Sequence, residues 1–158
     1  MAQLQVRLRS LPARTVAGIS GRVERSDVAA WYDAAMAELD EAVAGRPASG
    51  PPGGRYASEL FTAGRGDVLA CRLVAGPPIR GRAGPVVLPP VELATAVHHG
   101  PHDDIDVTYG RLGAWVVEHA LAVDGPIYDS YLAGPGDNPA PEAWRTEIGW
   151  PVFRLAPR

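Results

Sequence analysis

Three side chains near the end of the chain combine charge with aromatic surface: Asp129, Tyr131 and Glu147. Asp129 and Tyr131 alternate within I-Y-D-S-Y-L-A (127–133), a strand candidate, so they share a face. Glu147 lies in R-T-E-I-G-W-P-V, where Ile148, Trp150 and Val152 alternate onto a core face. Glu147 then looks out from the other side with Arg145 and Gly149, and Gly149 leaves space beside the carboxylate. An acid flanked by rings and an empty position suits a flat organic cation. The carboxylate answers the charge and the rings stack on the body, each contact worth about 1–2 kcal/mol when desolvated. The same pattern also fits a solvated glutamate on an outer sheet face, where charged strand residues mostly stand.

Other groups lend themselves less to chemistry. His98, His99, His102, Asp103 and Asp104 cluster in sequence, but adjacent strand histidines point to opposite faces and make a poor chelate. No zinc pattern of histidines or cysteines is present, so no metal site and no cofactor are expected. Asp103 and Asp104 suit the start of a helix. Cys71, the one cysteine, has apolar neighbours and reads as a buried small hydrophobe. There is no nucleophile elbow, phosphate loop or dinucleotide fingerprint. Arg65-Gly66-Asp67 falls where a hairpin turn is expected.

The elements that must position these residues follow from periodicity. Strand candidates are 3–9, 14–24 (with a bend or bulge at Gly18 and Gly21), 55–62, 67–75, 79–82, 91–99, 127–133 and 145–154. The A-G-R-G turn between 55–62 and 67–75 makes a hairpin. Helices are expected over 27–44, capped by Ser26 or Asp27, and over 104–121. Trp31 and Tyr32 fall on the first helix, Tyr109 and Trp115 on the second. Tyr56 and Phe61 fall on opposite faces of one strand, so at most one shares a ligand cleft. Each of these six aromatics could line a site, and each fits core packing.

The order strand, helix, strand, strand occurs twice. Leu11-Pro12 matches Leu88-Pro89, 77 positions apart, and at that spacing Ala17 meets Ala94 and Tyr32 meets Tyr109. This is the mark of an internal duplication, with pseudo-repeats about 1–76 and 77–158 forming one domain over 1–158. The expected fold is α+β: a shared antiparallel sheet, two helices packed on it, and a central ligand cleft at a pseudo-twofold junction.

Composition agrees. The 158 residues are 46% apolar, enough for a core, and 21% charged. The formal net charge of −3, with arginine as the sole strongly basic residue type, gives no basic footprint for nucleic acid. The start of the chain lacks an apolar run of signal-peptide length, and no stretch is long enough for a membrane helix. A cytoplasmic protein is the default expectation.

G-P-I-Y-D-S-Y-L (125–132), followed by T-E-I-G-W-P-V (146–152), resembles the closing signature of the GyrI-like small-molecule-binding domains. These also serve as effector-binding domains of multidrug-sensing bacterial transcription regulators. H-H-G-P-H-D-D-I-D-V-T-Y-G-R-L-G-A-W (98–115) is similar to that family's lead into its second helix. The resemblance covers nearly the whole chain. It implies a duplicated fold with a ligand cleft between halves and acids in the cleft for lipophilic cations. The family's first acid, usually glutamate, falls on Asp129, one methylene shorter. Its second acid falls on Glu147, and Tyr131 keeps the expected aromatic place.

The leading functional expectation is a stand-alone binder of planar, lipophilic cationic compounds, for sensing or sequestration. The duplicated domain leaves no segment for a helix-turn-helix, so any role in transcription would act through a protein partner. Two alternatives are implied by the resemblance. One is a hydrolase of cyclopropane-bearing natural products, with Glu147 as the catalytic residue that orients or activates a water. The other is a protein that binds and inhibits DNA gyrase.

Overall fold

A computed structural model of the chain describes residues 4–76, 79, 81–119 and 121–154. In chain order the strands are β1 (Arg7–Leu11), β2 (Arg14–Glu24), β3 (Gly53–Tyr56), β4 (Arg65–Arg72), β5 (Pro85–Leu88), β6 (Val91–His99), β7 (Leu121–Val123), β8 (Ile127–Ala133) and β9 (Arg145–Arg154). The helices are α1 (Val28–Ala42), the single turn α2 (Glu59–Thr62) and α3 (Ile105–Glu118). This is the expected α+β class, with antiparallel strands and two main helices.

The chain divides into two compact units. The middle unit is Pro12–Pro90, and the terminal unit joins Met1–Leu11 to Val91–Arg158. These units are cut differently from the sequence repeats. The first strand of each repeat is built into the unit formed by the rest of the other: β1 pairs with β6, and β5 pairs with β2. The two ladders match position for position, Leu11 opposite Val91 and Leu88 opposite Arg14.

In the middle unit, Ala35, Leu39 and Val43 of the first helical segment are buried against Ala17, Ile19, Ala70 and Ala83. Full burial of one leucine such as Leu39 is worth roughly 1.5–3 kcal/mol. Gly45, at φ +83°, takes the left-handed conformation that ends the segment. In the terminal unit, Leu112 and Val116 of α3 pack on Ala94 and Ala96 of β6 and Ile148 and Val152 of β9. Both helices are entered through a 3-10 turn, Arg25–Asp27 and His102–Asp104. Asp27 and Asp104 stand at the cap positions, yet neither side chain makes the expected capping hydrogen bond.

Several expectations are corrected. Residues 4–6 lie before β1 rather than in it, and residues 1–3 lie outside the described ones. No strand forms among the described residues of 79–82; it comes at Pro85–Leu88. Residues 57–62 do not extend β3. A helical turn intervenes and buries Leu60 with Tyr56 and Val68. Gly66 makes that possible, since a Cβ there would stand 2.8 Å from the Leu60 backbone nitrogen. Arg65-Gly66-Asp67 is therefore strand, and the hairpin connection is longer than A-G-R-G. The second helix ends at Glu118, because Leu121 leaves to pair with Arg154.

Gly18 and Gly21 mark close packing rather than a bend, for the β2–β4 register runs unbroken from Ala17 to Glu24. Trp31 lies over Gly21, with its Nε1 2.7 Å from where a Cβ would stand. The matching positions of the terminal unit, 77 residues on, are Thr108 and His98, joined at 2.7 Å from Thr108 Oγ1 to His98 Nδ1. A large-on-small contact in one unit is a hydrogen-bonded pair in the other.

Candidate functional site

Strand register decides which candidate residues can meet. In the β8–β9 ladder Asp129 stands opposite Ile148, and Ser130 opposite Glu147. Directly opposed residues project to the same side. Asp129 and Glu147 therefore stand on opposite faces of the terminal unit's sheet. Asp129 and Tyr131 share the face that α3 covers, and Glu147 shares the other with Gly149, Tyr128 and Ser130.

On the helix-covered face, Asp129 is buried, and the Tyr109 hydroxyl donates to its Oδ2 at 2.7 Å. Its Oδ1 is also buried and has no hydrogen-bond partner among the described residues. Burial pushes the carboxyl up to about 7, against the opposing effect of the Tyr109 hydrogen bond. A buried acid in this state can either stay neutral or ionise when a cation arrives.

Tyr131 and Thr146 are cross-strand neighbours on that face. His102, in the turn entering α3, holds its Nε2 3.0 Å from Thr146 Oγ1. Its ring lies 5.6 Å from that of Tyr131, tilted by 40°. Burial lowers the His102 pKa, nearby His98 lowers it further, and Asp103 partly opposes them. His98 fixes the turn. Its Nε2 lies 2.8 Å from the Pro101 carbonyl oxygen, which can only accept, so Nε2 donates there, and its Nδ1 lies 2.7 Å from Thr108 Oγ1. In the sequence His102 stands out only as part of the His-Asp cluster. Its place beside Tyr131 depends on the long-range register of β8 with β9, which no local pattern announces.

On the other face, the Arg9 guanidinium donates to Glu147 Oε1 at 2.7 Å. The space expected beside Gly149 is filled: Leu93 Cδ1 lies 3.1 Å from where a Cβ would stand. Arg9 and Tyr128 were missed. The alternation of 127–133 puts Tyr128 opposite Asp129 in facing, but Arg9 reaches the site only because β1 joins β6.

Trp115 of α3 is half-buried and stacks on His119, with ring centroids 3.8 Å apart. In the middle unit, Tyr56 is buried, Phe61 is exposed on α2 rather than on a strand, and Trp31 packs at the start of α1. Tyr56 and Phe61 thus do not flank one strand. Trp31 also lines a surface groove of about 580 Å³ with Arg22, Glu24 and Arg65. That groove contains neither Asp129 nor Glu147, and among its charges Arg22 pairs with Asp67 and Arg65 with Glu24. Burial pushes the Cys71 thiol up to about 11, in keeping with a packing role. No cluster of metal-ligating side chains occurs among the described residues. Among those residues no helix is long and apolar enough to cross a membrane.

The two units are not chemically equivalent. Their ladders superpose Tyr131 on Tyr56 and Asp129 on Gly54, because Gly149 pairs with Tyr128 as Cys71 pairs with Gly53. The Tyr56 hydroxyl lies 2.5 Å from where a Gly54 Cβ would stand, so its ring fills the place of the acid. Tyr32, the counterpart of Tyr109, donates instead to the Gly53 carbonyl at 3.1 Å. The carboxyl is found in one unit only.

Comparison with known proteins agrees with this architecture. The family model for the GyrI-like small molecule binding domain matches residues 4–152. The C-terminal domain of EcmrR is similar in structure, with TM-score 0.82 and 22% identity over 96% of this chain and 99% of that one. SAV2435 bound to tetraphenylphosphonium gives TM-score 0.64 and 16% identity over 96% and 95% of the two chains. A hydrolase encoded by lin2189 from Listeria innocua gives 0.62 and 14% over 96% and 93%. No curated protein sequence matches the chain.

Proposed function

The chain belongs to the GyrI-like small-molecule-binding domain family, and from that premise we propose that it binds lipophilic organic cations, with Asp129 on the helix-covered face and Glu147 on the other each offering a separate carboxylate. The observation that carries this reading is the buried Asp129 carboxyl, with Tyr109 on one oxygen and the other oxygen unpartnered. A buried unpaired acceptor costs stability, on the order of 1–3 kcal/mol, unless a ligand uses it. A cation beside it would form a desolvated ion pair, and Tyr109 and Tyr131 offer ring surface. The relative SAV2435 was solved with tetraphenylphosphonium, a lipophilic cation, which supports the ligand class. Likeness to a domain of EcmrR, a protein solved in complex with DNA, supports a link to regulation.

Titration of the protein with ethidium, followed by dye fluorescence at pH 8, tests the reading. Saturable binding that weakens about tenfold in Asp129→Asn is expected, the loss of roughly 1.4 kcal/mol. Equal binding by both proteins removes Asp129 from the account.

A second reading is favoured by the Asp129 pKa of about 7, which is where general acid–base chemistry works best at neutral pH. In that reading the domain hydrolyses a strained electrophile such as a cyclopropane-bearing natural product, with Asp129 or Glu147 directing the water. Product analysis by mass spectrometry after incubation with such a compound separates binding from turnover.

A further inference from the structure

We propose that Arg9 is a built-in occupant of the Glu147 carboxylate, which an incoming cation must displace, so that Arg9 sets the affinity threshold of this acid. The inference rests on the reading of Glu147 as a cation-binding group.

Three observations carry it. First, Arg9 presents to Glu147 a flat, delocalised cation at 2.7 Å. Among the ion pairs of the described residues this carboxylate is the most buried, 25% exposed, while Arg9 remains 45% exposed and free to swing out.

Second, the pair is not needed to build the sheet. Arg9 opposes Leu93 as Val86 opposes Val16, and Glu147 opposes Val97 as Leu69 opposes Ser20. The middle unit therefore carries Val86 and Leu69 where the terminal unit carries Arg9 and Glu147. Val86 Cγ2 and Leu69 Cδ1 both lie over Gly18, 3.1 and 2.9 Å from where a Cβ would stand. The same scaffold position is satisfied by an apolar contact in one unit and by an ion pair in the other. Ion pairs seldom stabilise more than the apolar groups they replace, so the charge is retained for something other than packing.

Third, the charge balance of that face is unusual for a cation site. Register places Arg7 and Arg9 of β1 on the same side as Glu147. A cation gains there only by taking the carboxylate from Arg9. A flat cation that also stacks on Tyr128, two positions along from Ser130 on that face, adds contact that a simple ammonium ion lacks.

The test is ethidium titration of wild type, Arg9→Val, Glu147→Gln and the double variant at low salt. Valine is the residue the middle unit carries at this position, so the fold has a precedent for it; thermal melts confirm that each variant is folded. Arg9→Val is expected to bind roughly two- to fivefold tighter than wild type, the range of an exposed ion pair. The gain should vanish in the Glu147→Gln background and shrink as salt rises. Equal affinity of wild type and Arg9→Val overturns the proposal alone, as does a gain that persists without Glu147. Absence of saturable binding by wild type and Arg9→Val alike overturns the cation reading itself, and the proposal with it.

Discussion

The Tyr109 hydroxyl and the Asp129 carboxyl meet at 2.7 Å inside the terminal unit, and one oxygen of that carboxyl is left without a partner. The pair joins α3 to β8, so it couples helix position to the protonation state of one acid.

Stability should fall as pH rises from about 4 to about 7. Asp129 has its folded pKa raised from the usual 3.8 to about 7 by burial, so the folded state holds the proton more tightly. Its contribution is complete below pH 4 and is lost through pH 7, a change of at most about 4 kcal/mol. Urea denaturation at pH 5 and pH 8 should show a larger loss for wild type than for Asp129→Asn. An identical pH response in both proteins would show that Asp129 ionises without cost.

Cation affinity should move the opposite way. Binding a cation favours the carboxylate, so ethidium affinity should rise by up to about tenfold per pH unit below pH 7 and level off above it. Proton release on binding at pH 6, measured by calorimetry in buffers of different ionisation enthalpy, should disappear in Asp129→Asn.

Tyr109→Phe removes the one donor found on the Asp129 carboxyl among the described residues. We expect its pKa to rise further and ethidium binding at pH 7 to weaken by several-fold, about 1 kcal/mol. Affinity equal to wild type would mean that the hydroxyl does not serve the ionised form.

Gly21→Ala should displace Trp31, since the added Cβ would lie 2.7 Å from its Nε1. The expected cost is about 1–3 kcal/mol, with a red shift in tryptophan emission as the indole moves outward. An unchanged melt and spectrum would show that β2 can shift to make room.

Cys71 should alkylate slowly. Its pKa of about 11 leaves little thiolate at pH 7.5, so iodoacetamide should modify the folded protein at least about tenfold more slowly than an unfolded control.

Much of this fold was legible in the chain. The pattern of 14–24, 91–99, 127–133 and 145–154 matches four strands at their observed limits, although β2 and β6 each bury four successive residues. The failures have physical causes. Residues 57–62 look extended by composition, but burying Leu60 beneath Gly66 requires a helical turn. Gly149 looked like an open position because its filler, Leu93, comes from a strand more than fifty residues earlier. Asp129 and Glu147 looked like partners because motif order says nothing of facing. Register decides it, and register is a long-range property. Arg9 was invisible for the same reason.

The exchange of first strands bears on how such a chain could have arisen. A half-length ancestor with one repeat would have lacked an internal partner for its first strand, and could have paired it only with a second, identical molecule. In one continuous chain the two halves carry separate sequences, and neither is obliged to stay the same. One half can keep valine and leucine at a contact while the other carries arginine and glutamate, a difference that a symmetric dimer encoded by one gene could not express.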